Sequence, residues 1–369
     1  MHIPDGYLSP QTCATLGAAM VPVWITAARR VGKVVKSRYV PLVAVASAFS
    51  FLIMMFNVPI PDGTTAHAVG ATLIAILLGP WAAVIAVSIA LGIQALFFGD
   101  GGVLAFGANA FNMAFVMPMV GYAVYKLVCG NVSLTSGRRA VAAGIGSYVG
   151  INAAALCAAI ELGLQPTLFH TANGTPLYAP YHLALTIPAM MLAHMTVAGL
   201  VEFAAAAGVI AYLQRANVPI LRINHPNVPV TQAELENQAD ASKKKLGWRW
   251  ALGPIAVMVL LTPLGLLAPG GAFGEDSPGS LNLHKYGLNA VPSGLARFNG
   301  FWSHTLLGGY GFGSGEHPVI GYLISAVVGI LVISAVVFAI VGLIRLLQRS
   351  RGSDEDGPSS RPETRGVPA

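Results

Sequence analysis

The sequence predicts an all-α membrane protein, a seven-helix bundle followed by a two-helix module, and three observations predict it. Only 10% of the 369 residues are charged, against about 25% in soluble domains. Hydrophobic residues make up 55% of the chain and mean hydropathy is +0.66, too apolar for a surface that faces water. Apolar runs of about 20 residues, each long enough to cross a bilayer as a helix, recur from end to end.

The net charge of +6 does not point to nucleic acid, because the Lys and Arg residues sit in short segments between apolar runs. That is the positive-inside pattern of a membrane protein, and the surroundings it implies are lipid. The three cysteines, Cys13, Cys129 and Cys157, form no CxxC and read as small packing residues. The start of the chain has no basic region of the kind that opens a signal peptide, so the mature chain is expected to begin at Met1 or His2.

Residues 10–28 make the first apolar run. The basic cluster Arg29, Arg30, Lys33, Lys36 and Arg38 follows and is expected in the cytoplasm, which puts the N-terminus outside. Residues 39–56 return outward to a Pro/Gly-rich turn, 57–65. The stretch 67–98 is too long for one span and is divided at Gly79-Pro80, because proline interrupts helical hydrogen bonding. The GDGG turn at 99–102, a run at 103–128, a cytoplasmic segment with Arg138 and Arg139, a run at 140–162, a polar outer loop at 163–180 and a run at 181–213 complete seven spans. Every basic cluster then falls on one side. Residues 1–213 are thus one module and 214–248 a charged cytoplasmic linker with Lys243, Lys244 and Lys245. Residues 249–347 are a two-helix module whose spans, 250–268 and 319–347, flank an outer loop at 269–318. The Pro/Ser-rich tail, 348–369, is expected to be disordered inside the cell.

The richest chemistry lies at the amino terminus. In Met1-His2 the α-amine and the His2 backbone nitrogen close a five-membered ring around a metal ion. That nitrogen and the imidazole Nδ1 close a six-membered one. Such a planar nitrogen set suits Ni(II) and Cu(II). A fourth ligand is needed, and His67, at the outer end of the third span, is the strongest candidate. Taken singly, each histidine more often marks an ordinary polar residue than a ligand.

The string Met1-His2-Ile3-Pro4-Asp5-Gly6-Tyr7-Leu8-Ser9 resembles the opening of the CbiM/NikM proteins, the substrate-binding (S) components of energy-coupling-factor (ECF) transporters for cobalt and nickel. Two further stretches are similar: Phe56-Asn57 through Gly63-Thr64 to His67, and Gly99-Asp100-Gly101-Gly102 with Gly107-Ala108-Asn109-Ala110-Phe111-Asn112-Met113. The resemblance implies a seven-helix fold with the N-terminal segment plugged into its centre. It implies Met1, His2 and His67 as metal ligands and Ni(II) or Co(II) as the transported substrate. Met1 must be retained, and the bulky His2 behind it disfavours its removal. The implied partners are a CbiQ/NikQ-like transmembrane coupling subunit and CbiO/NikO-like cytoplasmic ATPases. The setting is a prokaryotic cell membrane, with the C-terminus in the cytoplasm. The C-terminal module resembles, more loosely, a small CbiN/NikN-like N-type subunit fused to the M-type one. Its loop carries Pro269-Gly270-Gly271 and Pro292-Ser293-Gly294-Leu295.

Other residues are read more openly. Asn109 and Asn112, three apart on one helix face, could bond the N-terminal segment or fix the ring of His67, or act as interhelical glue. Asp100 reads as a turn residue before an imidazole partner. Ala44 and Ala48 make a small-residue face suited to the coupling subunit, or to packing within the membrane. Glu161, His194 and Glu202 are ionisable groups inside spans, with packing favoured for His194 among its methionines. His284, His304 and His317 lie in the outer loop, to pre-bind metal or simply be solvated. Walker A, GxSxG and HExxH motifs do not occur, so the chain reads as no enzyme and its energy must come from another subunit. A secondary transporter or channel for another cation is disfavoured by the scarcity of intramembrane acids. A membrane metalloenzyme is disfavoured by the lack of a second His/Asp/Glu cluster.

Overall fold

The computed structural model describes residues 1–34, 40–60, 64–229, 231–232, 249–268, 271–313 and 316–355. Lys36, Arg38, Gly63, Lys243, Lys244, Lys245, Pro269, Gly270 and the tail from 356 lie outside the described residues.

Helix α1, Pro10–Val34, starts where the sequence has a cap: Ser9 Oγ accepts from Thr12 N at 3.1 Å, and Pro10 takes the first helical position. α2 is Val40–Met54. Two short strands, β1 (Val58–Pro59) and β2 (Thr65–Ala66), pair antiparallel with Val58 opposite Ala66. α3, Ala71–Leu78, stops at Gly79, and α4, Pro80–Ile93, begins at once with its proline. Gly79 has φ 94°, a conformation that favours glycine, so the chain turns here for a local reason.

Three helices carry a π-helical segment. α4 runs into one at Gln94–Phe98. Another, Ala110–Val116, joins α5, Phe106–Asn109, to α6, Met117–Cys129. The third, His194–Ala198, joins α8, Leu183–Ala193, to α9, Gly199–Ala216. Between the last two lies α7, Gly137–Leu168, whose cap Ser136 accepts from Arg138 N. Its residues Ala142, Gly146, Gly150, Ala154 and Ala158 recur every four positions, so they share one buried face. Their smallness lets backbones touch: a Cβ on Gly150 would sit 2.7 Å from Met117 O, and one on Gly146 2.6 Å from Gly121 O.

Among the described residues, six helices are long and apolar enough to cross a membrane, and two shorter apolar helices accompany them. This is a multi-pass, all-α membrane chain. The third expected span needs correction. α3 has 8 residues and rises about 12 Å, well short of the roughly 30 Å of hydrocarbon. Residues 67–70 before it are buried and non-helical, so His67 lies inside the bundle rather than at the outer end of a span. α7 is also longer than expected, running six residues past 162 into the stretch read as a loop.

In the C-terminal part, α10 is Val218–Leu221 and α11 is Arg249–Leu261. A tighter 3-10 turn follows α11 at Thr262–Leu267, where Pro263 offers no backbone N–H. α12 is Ser293–Phe298 and α13 is Pro318–Glu355. α13 passes the expected end at 347 by eight residues, because Gln and Arg are good helix formers and proline returns only at Pro358. This module is docked tightly. A Cβ on Gly329 would meet the Phe51 ring at 2.3 Å, and one on Gly265 would meet Met55 O at 2.2 Å. Ala44 and Ala48, expected as an open face for a coupling subunit, are buried within the chain at 6% and 3% exposure. That face of α2 is already filled, since small side chains invite the chain's own helices to close on it.

Candidate metal centre

The first nine residues enter the bundle and are clamped there. Asn109 holds Ile3 at both backbone groups: Ile3 N donates to Oδ1 at 2.8 Å, and Nδ2 donates to Ile3 O at 3.0 Å. The Asp5 carboxylate accepts from Val103 N at 3.1 Å and Leu104 N at 2.8 Å, and Gly102 N donates to Ile3 O at 2.9 Å. Gly102 is required by this contact, because a Cβ there would lie 2.2 Å from Asp5 Oδ1. Gln165 on α7 accepts from Ser9 N at 2.9 Å. Buried backbone groups must be paired, and side chains far along the sequence pair these.

Met1, His2 and His67 converge as a result. The two imidazoles stack with centroids 4.9 Å apart and 25° between planes, and His2 and His67 are 3% and 4% exposed. His67 Nδ1 lies 3.1 Å from Ala68 O, so this nitrogen carries the proton and donates to the carbonyl. Nε2 then keeps its lone pair, and it has no partner among the described residues. Burial, aided by the nearby terminal ammonium and His2, pushes the His67 pKa well below its ordinary value, so the ring stays neutral. A neutral, oriented imidazole with an unused buried lone pair is chemically able to bind a metal ion.

His2 differs. Its Nδ1 lies 3.1 Å from Asp100 Oδ1, and its Nε2 is unpartnered. Asp100, expected chiefly to form a turn, is thus also an imidazole partner. Burial alone would raise its pKa, but the charge and hydrogen bond of His2 and a hydrogen bond from Tyr310 outweigh this and hold the carboxyl well below the usual range. Gln94, on the first π-helical segment, donates to Asp100 Oδ2 at 3.2 Å and to Tyr310 Oη at 2.8 Å.

The terminal amine points at the C-terminal module. Met1 N donates to Glu275 Oε1 at 2.8 Å, and Tyr7 Oη to Asp276 O at 2.7 Å. Leu295, fully buried, packs beneath Gly6, where a Cβ would sit 2.8 Å from Leu295 O. The loop from 271 to 313 therefore lies over the same end of the bundle as the N-terminus. Glu275, Asp5, Gln94, Gln165 and Tyr310 were not singled out from sequence. Asp5 stands within the opening string that drew attention, but Glu275 and Tyr310 lie in a Gly/Ser-rich loop with no periodicity to mark them.

Other expectations resolve differently. Asn112 turns from the N-terminal segment and donates to Glu161 Oε2 at 2.8 Å, because three residues along a π-helical segment do not keep two side chains aligned as in an α-helix. His194 is buried, with Nδ1 2.7 Å from Met190 O and Nε2 unpartnered. Glu202 accepts backbone N–H groups from Val69 and Gly70. His284, His304 and His317 are exposed.

Residues 2–220 match the CbiM family, described as the cobalt uptake substrate-specific transmembrane region. The chain is 46% identical over 362 residues to the fused nickel transport protein NikMN of Rhodobacter capsulatus, covering 95% of this chain and 100% of that protein. It is 39% identical over 130 residues to the cobalt transport protein CbiM of Clostridium cellulovorans, covering 35% of this chain and 50% of that one. A crystal structure of a truncated transition metal transporter is 63% identical, with a TM-score of 0.55 over 58% of this chain and 98% of the other. The chain belongs to the CbiM/NikM family, in the fused form that carries an N-type module at its C-terminus.

Proposed function

We propose that this chain is the substrate-capturing membrane component of an ECF-type importer for Ni(II) or Co(II). The ion binds to the Met1 amine, the His2 backbone nitrogen and imidazole, and His67 Nε2. The observation that carries the reading is the meeting of two buried imidazoles beside the terminal amine, with the Nε2 of His67 unpartnered. Nitrogen-only coordination suits Ni(II) and low-spin Co(II). The carboxylates of Asp100 and Glu275 border the set and offset the charge of a dication. For His2 to close the six-membered ring, its Nδ1 must leave Asp100 and lose its proton, so metal capture releases protons.

The N-terminal side faces outward in this reading, and the loop over the site belongs to the same outer face. The chain takes the ion from outside, and a CbiQ/NikQ-like coupling subunit with CbiO/NikO-like ATPases drives release into the cell. What supports separate ATPases is the lack of a Walker A motif in the sequence.

The test is to add three alanines before Met1, since a single one would put His2 third in the chain, where the new amine, two backbone nitrogens and the imidazole form another planar nickel chelate. The longer extension carries the free amine away from His2, so no amine is left to close the five-membered ring beside it. Nickel binding to the purified chain, followed by calorimetry, is expected to be lost. Binding of unchanged affinity in the extended chain rejects the terminal chelate.

A further inference from the structure

Residues 67–70 are buried and precede α3, so the helical ladder takes up Gly70 O, which accepts from Ile74 N at 3.0 Å, but leaves the N–H groups of Val69 and Gly70 without a helical partner. The carboxyl group of Glu202, on α9, pairs them. Val69 N donates to its Oε2 at 2.7 Å, and Gly70 N donates to Oε1 at 3.0 Å and Oε2 at 3.1 Å. Ser50 Oγ on α2 donates to Val69 O at 2.8 Å. Gly70 itself takes φ 74°, and a Cβ there would meet the Phe49 ring at 2.4 Å. The turn is therefore gripped from two helices and from its own backbone.

Glu202 is 1% exposed, and among the described residues no cation pairs with it. A buried acid without a counter-ion is a costly way to satisfy two N–H groups. An Asn or Ser could cap them with a single oxygen. What the Glu202 carboxyl group does better is grip: its two oxygens accept from both N–H groups at once. The part gripped begins two residues from His67, whose Nδ1 is spent on Ala68 O and whose Nε2 is left unused beside the stacked His2 ring.

We propose that Glu202 is the positioning residue for His67, holding the 67–70 turn in the one conformation that presents Nε2 to the metal. This rests on the reading of His67 as a ligand. It also gives α9 a direct mechanical connection to the metal site, so a shift of that helix moves a ligand.

The experiment uses the full chain in detergent, loaded with Ni(II), and reads nickel affinity and the ligand-field absorption spectrum of the bound ion. The variants are Glu202→Ala and Glu202→Gln, with His67→Ala as the reference. In Glu202→Ala the spectrum is expected to move to that of His67→Ala, and affinity to fall by about ten- to hundredfold. Glu202→Gln keeps one oxygen acceptor and is expected to lie between. A lowered melting temperature with wild-type spectrum and affinity leaves Glu202 as a structural cap and overturns the proposal. If Glu202→Ala is not recovered folded, the isosteric Glu202→Gln decides: a wild-type spectrum and affinity overturn the proposal, and an intermediate shift supports it. Failure of the underlying reading is separate, because His67→Ala would then itself leave the spectrum unchanged.

Discussion

The two ends of the bundle treat their polar side chains in opposite ways. At the end away from the N-terminus, Arg139 donates to Tyr125 Oη at 2.7 Å, Ser133 O at 2.9 Å and Val132 O at 2.7 Å. Nearby, His225 Nε2 meets Tyr125 Oη at 2.9 Å, and Asn224 Nδ2 donates to Ala75 O, Ile76 O and Tyr122 Oη. Each of these groups is used in holding loops to helices. At the N-terminal end the backbone is held as firmly, yet the Nε2 atoms of His2 and His67 have no partner. Leaving a buried polar atom unmatched costs about 1–3 kcal/mol. The two lie side by side in stacked rings, whereas Arg139, Asn224 and His225 at the opposite end each bond a neighbour.

Four measurements break or sharpen this contrast, taken from the largest expected effect downward. Replacing His67 by Ala removes a ligand, and nickel affinity should fall by more than about a hundredfold; calorimetry that finds unaltered affinity and stoichiometry removes His67 from the set. Asn109→Ala frees both backbone groups of Ile3. Metal binding is expected to weaken by roughly ten- to hundredfold, and the chain should lose about 1–3 kcal/mol of stability in a detergent melt. Glu275→Gln is subtler. A coordinated amine still has hydrogens to donate, so the carboxylate can stay in place beside the dication. Its neutralisation should weaken nickel by up to about tenfold, and tighter binding in this variant would show instead that Glu275 competes with the metal. Last, Arg139→Gln should cost about 1–3 kcal/mol of stability with no change in nickel affinity. If affinity moves with it, the two ends are coupled.

Acidity offers a further check. Nitrogen ligands must shed protons before they bind, so affinity should fall as pH is lowered from about 8 to about 6. Burial keeps His67 neutral across that range, and it contributes no protons to the fall. Asp100 stays charged throughout, because its pKa lies well below the usual carboxylate range. A calorimetric titration of nickel affinity against pH checks this, and an affinity unchanged across that range argues against ligands that must lose protons.

Much of the site was legible in the chain itself. Met1 and His2 are adjacent, and their chelate rings follow from covalent geometry alone. His67 and Asn109 stood out because polar residues are rare in such apolar surroundings. Glu275 did not, since a Gly- and Ser-rich loop hides its acids among solvated neighbours. For Asn112 two readings stood open, and it bonds Glu161 on α7 as interhelical glue does, since the chain forms a π-helical segment where the spacing assumed an α-helix. Ala44 and Ala48 were legible as a close-packing face, but not which helix would occupy it.

What the sequence by itself determined is the solvent and the periodicity. An apolar chain must satisfy its backbone within helices, and its basic residues then collect between them, so composition and run length specify a multi-pass bundle. What only the tertiary structure decided is which distant groups meet. Glu275 reaches Met1 across 274 positions, and Glu202 reaches Val69 across 133. No local rule relates residues so far apart. They are brought together because the buried, non-helical segments at 1–9 and 67–70 carry polar groups that the membrane cannot pair, and the fold has to supply partners from elsewhere.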